Sequence, residues 1–148
     1  MASFEEMLKA SLAGVNAQVD AADTDLHQEV ASAAEGVERI TGGKVSLFLR
    51  RARDAASEVI YGLVLGKTRS DREIMGFRLG PTGYPITAAP NSSYFKEETA
   101  SHLQRVLGNR DELRKVFSEL ASDPGSPLVI ALAFFLRRNR SEKVPDQE

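Results

Sequence analysis

Gly66-Lys67-Thr68 is the nearest approach in this chain to a phosphate-binding loop. In the full G-x-x-x-x-G-K-[ST] motif, backbone N–H groups wrap a phosphate at the start of a helix. Here the preceding glycine is Gly62, which leaves the loop one residue short, and Leu63-Val64-Leu65 read as apolar strand with no helical pattern after Thr68. A hairpin tip is the better reading. His27 and His102 are the two imidazoles, and neither has a second histidine or a carboxylate at metal-ligand spacing, so no metal or other cofactor is expected. The lack of Cys removes thiol nucleophiles, disulfides and Cys-based zinc or iron–sulfur sites. Carboxylates pair at Glu5-Glu6, Asp23 with Asp25, Glu97-Glu98 and Asp111-Glu112. Three of these groups fall in expected first turns of helices, where negative charge suits the macrodipole. Ser93, Ser101 and Ser118 lie outside any Gly-x-Ser-x-Gly context. No catalytic residue is assigned, and the reading leans away from an enzyme.

Basic residues offer a different chemistry. Arg50, Arg51 and Arg53 close one expected strand, and Lys67, Arg69 and Arg72 flank the following turn; these six are the anion-binding candidates. Arg137, Arg138 and Arg140 form a third basic group. The net charge of −2 conceals a balance of −6 over residues 1–40 and +4 over residues 41–80. The acidic segment would repel a polyanion, and no helix-turn-helix, zinc finger or RNP-like aromatic motif is present, so nucleic acid is a disfavoured partner. Asn91-Ser92-Ser93 matches a glycosylation sequon by chance, because Met1 to Glu6 is acidic where an export signal would be basic. The longest apolar run, Leu128 to Leu136, is half of what a membrane-spanning helix needs. No membrane association is expected, and the cytoplasm is the default compartment.

The elements that must position these residues follow from periodicity. Apolar residues recur every three or four positions from Phe4 through Leu8, Leu12, Val15, Val19, Ala22, Leu26, Val30, Ala33 and Val37 to Ile40, the pattern of an amphipathic helix. Gly14 and the Asp20–Asp25 stretch weaken it. One long helix is favoured over a two-helix hairpin because the apolar phase continues unbroken, and Thr41-Gly42-Gly43 supplies the stop. Strands are then expected at 45–50, 58–65 and 73–79, with a short fourth, edge strand at 84–87 containing Pro85. Gly62 and Gly76, central in adjacent strands, suggest bulges or close approach by another backbone. Helices are expected at 94–107 and after Asn109. The run 128–136 lacks a polar face and reads as a strand buried on both sides, with a buried helix as the alternative.

The expected fold is α+β: a long N-terminal helix, an antiparallel β-meander of three or four strands, two helices and a final buried strand in a two-layer sandwich. A chain of 148 residues supports one core, taken as residues 1–138, with 139–148 as a charged tail. A continuous first helix would span roughly 55 Å, against about 38 Å for a compact domain of this size. Its stripe would then need a cover outside its own domain. Residues 1–40 are therefore a candidate dimerisation arm, with Leu8, Leu12, Val15, Val19 and Leu26 as the partner interface. The function favoured is a non-enzymatic protein-interaction module of adaptor, inhibitor or immunity type, acting as a homodimer. One alternative is a small-ligand pocket between sheet and helices, lined by aromatics such as Tyr61, Tyr84 and Phe77. The other is an anion or nucleic-acid binder using the basic turns.

Overall fold

The computed structural model describes residues 2–52, 58–67, 70–90 and 105–143. Helix α1 (Phe4–Thr41) is a single helix of 38 residues. Its start is fixed by a capping box in which Ser3 and Glu6 satisfy each other's backbone N–H groups. Its end is fixed by Gly42, which takes the left-handed conformation at φ 64° while the N–H groups of Gly42 and Gly43 bond back to the Glu38 carbonyl. The chain then forms β1 (Ser46–Arg51), β2 (Ile60–Lys67), β3 (Ser70–Gly80), β4 (Gly83–Pro90) and β5 (Arg105–Leu107), paired antiparallel in that order. Two helices follow, α2 (Arg110–Ser122) and α3 (Pro127–Lys143).

The protein is therefore α+β, with a long N-terminal helix, a five-stranded antiparallel meander and two C-terminal helices. Leu47, Leu63, Phe77, Ala88 and Leu107 fall on one sheet face by register, and α1, α2 and α3 all contribute to the core that covers this face. Phe77 of β3 stacks on Phe117 of α2 with ring centroids 5.7 Å apart. That burial, together with Leu26, Ile74, Ile86 and Leu113, holds the two layers together.

Three expectations need correction. Residues 128–136 are not a buried strand but the first half of α3. The signal for a helix was the start: Ser126 accepts a hydrogen bond from the Val129 N–H, and Pro127 occupies the first helical position, where its missing N–H costs nothing. Only Val129 and Ile130 in the run are β-branched, so the composition itself favours a helix. Second, β4 is not an edge strand, because β5 pairs with it. Pro85 is tolerated there because the β3–β4 ladder shifts register between Arg78 and Gly80, and pairing with β5 starts only at Ile86. Third, Arg105–Leu107 form β5 instead of the end of a helix; the rest of the expected helix, 94–104, lies outside the described residues. Helix α3 extends to Lys143, five residues into the expected tail.

Candidate interaction surface

Helix α1 is clamped to the domain by its own acids. The Tyr61 hydroxyl, from β2, donates to Asp23 at 2.6 Å, and the Tyr84 hydroxyl, from β4, donates to Asp25 at 2.9 Å. Arg110 of α2 bridges Asp25 and Glu29 at 3.2 and 3.4 Å. His27 sets its ring edge against Tyr61 while its Nδ1 lies 2.9 Å from the Asp23 carbonyl oxygen. Burial pushes the Tyr61 phenol up to about 12, helped by the hydrogen bond to Asp23 and by its charge. Burial raises Tyr84 in the same way, and Asp25 adds to it. The Asp23/Asp25 pair thus acts as structural acceptors, which is a role for side chains that looked like helix breakers in the sequence.

The clamp ends near Gln18. There the β3–β4 turn closes on the helix so tightly that a Cβ on Gly83, whose φ is +95°, would lie 2.6 Å from the Gln18 carbonyl oxygen. N-terminal to this point α1 runs on for about four more turns, roughly 20 Å, beyond the domain. Every side chain from Phe4 to Ala13 is exposed, with Phe4 at 75% and Leu12 at 53%. Leu8, Leu12 and the half-buried Val15 continue the same stripe that at Ala22 and Leu26 enters the core. Among the expected interface residues, Leu26 is fully buried in its own protomer and Val19 packs partly on the same core. Phe4 and Met7 belong to the exposed arm although they were not among the expected interface positions.

A second apolar surface lies at the other end of the helix. A groove of about 500 Å³ opens between α1, α2 and α3. Its walls are Ser32, Ala33, Gly36 and Ile40 of α1 and Leu132, Ala133 and Leu136 of α3, and Leu47 and Leu63 of the sheet form its floor. Outside it, α3 also exposes Ile130 and Phe134. This groove was not legible while 128–136 read as a strand.

Among the described residues, the basic candidates fall on both faces of the sheet. Arg50 pairs with Asp71 and approaches the Phe48 ring on the sheet face opposite the helices. Arg72 instead lies over the ring of Phe134 in α3, on the helix side. Arg51 stands opposite Tyr61 in the β1–β2 register. Lys67 ends β2, while Arg53 and Arg69 lie outside the described residues, as does His102. Both described flanks of Gly66-Lys67-Thr68 are strand, so this segment has no helix N-terminus to hold a phosphate. The β2–β3 ladder shifts register between Leu63 and Val64, just past Gly62, as the bulge reading expects; what lies close to Gly62 and Gly66 is a side chain and not a backbone, since Glu73 and Asp71 of β3 occupy the space where each Cβ would project. Among the described residues, no group of three or more His, Asp or Glu side chains is arranged to hold a metal. The stretch Arg110–Arg138 is long and apolar enough to cross a membrane by composition, but the Asp123–Ser126 turn divides it into α2 and α3.

What fold and surface define together is an α+β domain with a projecting amphipathic helix and an apolar groove. No protein-family model, curated protein or solved structure matches the chain.

Proposed function

We propose that the protein is a non-enzymatic protein-interaction module, of adaptor, inhibitor or immunity type, which acts as a homodimer through α1. The observation that carries this reading is the exposed stripe Phe4, Met7, Leu8 and Leu12 on a helix that projects past its own domain. An isolated helical segment of this length is marginal in water, and contiguous apolar surface of this extent marks an interaction site. A soluble intracellular setting is part of the same proposal. Sedimentation equilibrium tests it: the wild type should have twice the chain mass of 16.2 kDa, and Leu12→Glu should have that mass once with unchanged circular dichroism. A wild type that is monomeric at every accessible concentration would remove the reading.

The groove favours one second reading, a binder of small apolar ligands. Its size lies within the range of ligand pockets, and its walls offer almost nothing polar. A ligand that binds only the native state must raise its melting temperature, so a titration with a medium-chain fatty acid that leaves Tm unmoved would count against it.

A further inference from the structure

We propose that the free edge of β1 binds an extended segment of a partner protein, which adds to the sheet antiparallel to β1 and sets an acidic side chain against Arg51. This names the partner chemistry of the interaction-module reading and rests on that reading, but not on the α1 dimer. β1 is the terminal strand, so only one of its sides is paired. The Ala52 N–H donates to the Ile60 carbonyl at 2.9 Å, and the register runs from Arg51–Tyr61 to Ser46–Gly66 without a shift. Bonded pairs alternate in an antiparallel ladder, so Arg50, Phe48 and Ser46 turn their backbone groups to β2. The N–H and C=O groups of Leu47, Leu49 and Arg51 therefore point outward, and among the described residues no hydrogen bond reaches them. Helix α1 packs on the face of β1 that carries Leu47, above the ladder, and takes no bond from its edge.

Soluble proteins blunt such edges with Pro, bulges or a charge within the strand. Ser46 to Leu49 carry none of these. The opposite edge, β5, is only three residues long and is tied by Arg105 to Glu119 of α2. Beside the β1 edge Phe48 is left 37% exposed on the outer face and Leu49 half-buried on the helix face, and a cross-strand neighbour would cover both. Charge selects what the added strand carries. Arg50, on the outer face, is already met by Asp71. Arg51, on the helix face, is exposed and makes no ion pair among the described residues, while Asp23, past the Tyr61 ring, accepts the Tyr61 hydroxyl and lies beside His27. At the other end of the edge, Lys44 and the exposed Glu38 of α1 bring both signs together, so an acid is favoured at the Arg51 end alone. Antiparallel addition, the stronger pairing per residue, puts that acid at the N-terminal end of the bound segment.

The chain has no Trp, so the indole of a probe peptide is the only one in solution. The probe is the end-capped peptide Glu-Thr-Val-Trp-Val-Thr, whose Glu falls opposite Arg51, first Val opposite Leu49 and Trp opposite Phe48. Its fluorescence anisotropy should rise saturably as the full-length protein is added. N-methylation of the first Val, whose N–H turns to β1, should weaken binding by about tenfold, and N-methylation of the Trp, whose N–H points to solvent, should leave it nearly unchanged. Arg51→Glu should weaken binding several-fold and prefer the same peptide with Lys in place of Glu. Leu49→Pro removes an outward N–H without touching the β1–β2 ladder, and should abolish binding with unchanged circular dichroism. Equal binding of the two N-methylated peptides would mean apolar adhesion and overturn the proposal, as would no saturable rise at all. A wild type heavier than a dimer that Leu49→Pro returns to a dimer would assign the edge to a second copy and overturn it too. Each of these leaves the α1 dimer standing, whereas a monomeric wild type that binds the probe removes the dimer and keeps the edge site.

Discussion

Asp23 and Asp25 are two residues apart on α1, and each accepts a hydrogen bond from a tyrosine of a different strand. The neutral phenol is the form that donates, so the folded state holds the Tyr61 proton up to about pH 12. A pKa raised on folding gives stability that is complete below the unfolded value near 10 and is lost as pH rises through the folded one. Ultraviolet titration of the native protein should therefore show no Tyr61 ionisation at pH 10 to 11, and unfolding should accompany it near 12. Tyr61→Phe should remove that ionisation and cost about 1.5–3 kcal/mol in urea denaturation, the range for a hydrogen bond to a charged acceptor. Glu73 behaves in the same sense, in the carboxylate range. Burial raises its pKa, and the nearby Arg50 only partly offsets this. The folded state then binds the proton more tightly than the unfolded chain, so wild-type stability is diminished once pH exceeds that raised value. Glu73→Gln should raise the urea midpoint at pH 7, and the difference should vanish as pH falls through the ordinary carboxylate range.

At the scale of elements, two glycines on or against α1 make opposite demands. Gly14 is in the exposed arm with open space where a Cβ would go, so Gly14→Ala should increase helix content and stabilise by about 1 kcal/mol. Gly83, at φ +95° against Gln18, should lose more than about 1 kcal/mol as Gly83→Ala, from strain and from contact with α1 together. Thermal unfolding of the two variants separates the free part of the helix from the clamped part. The long helix was legible in the sequence because an apolar residue every three or four positions leaves few alternatives, even across Asp20 to Asp25. The meander was legible from alternation and short connections. What misled was local: nine apolar residues without a polar face do not distinguish strand from helix, and Ser126-Pro127, which did, was outweighed by the run that follows. The groove was hidden for that reason, since its far wall is α3. The acids of α1 were read as charge, because the tyrosines they meet are 38 and 59 residues away.

At the scale of the whole molecule, the domain covers its core completely and its first helix incompletely. From Ala22 onward α1 is held by three strands, α2 and a row of buried side chains; before Val15 every described side chain of the helix is exposed. Such a segment should fray unless a partner covers it, because a short helix without tertiary contacts opens at almost no cost. Amide hydrogen exchange over residues 7–17 measures this directly. If α1 pairs with a second copy, these amides should be protected at high protein concentration, and should lose protection on dilution and in Leu12→Glu. Exchange as fast as in an unstructured peptide at every concentration, alongside slow exchange from Ala22 onward, would contradict the account.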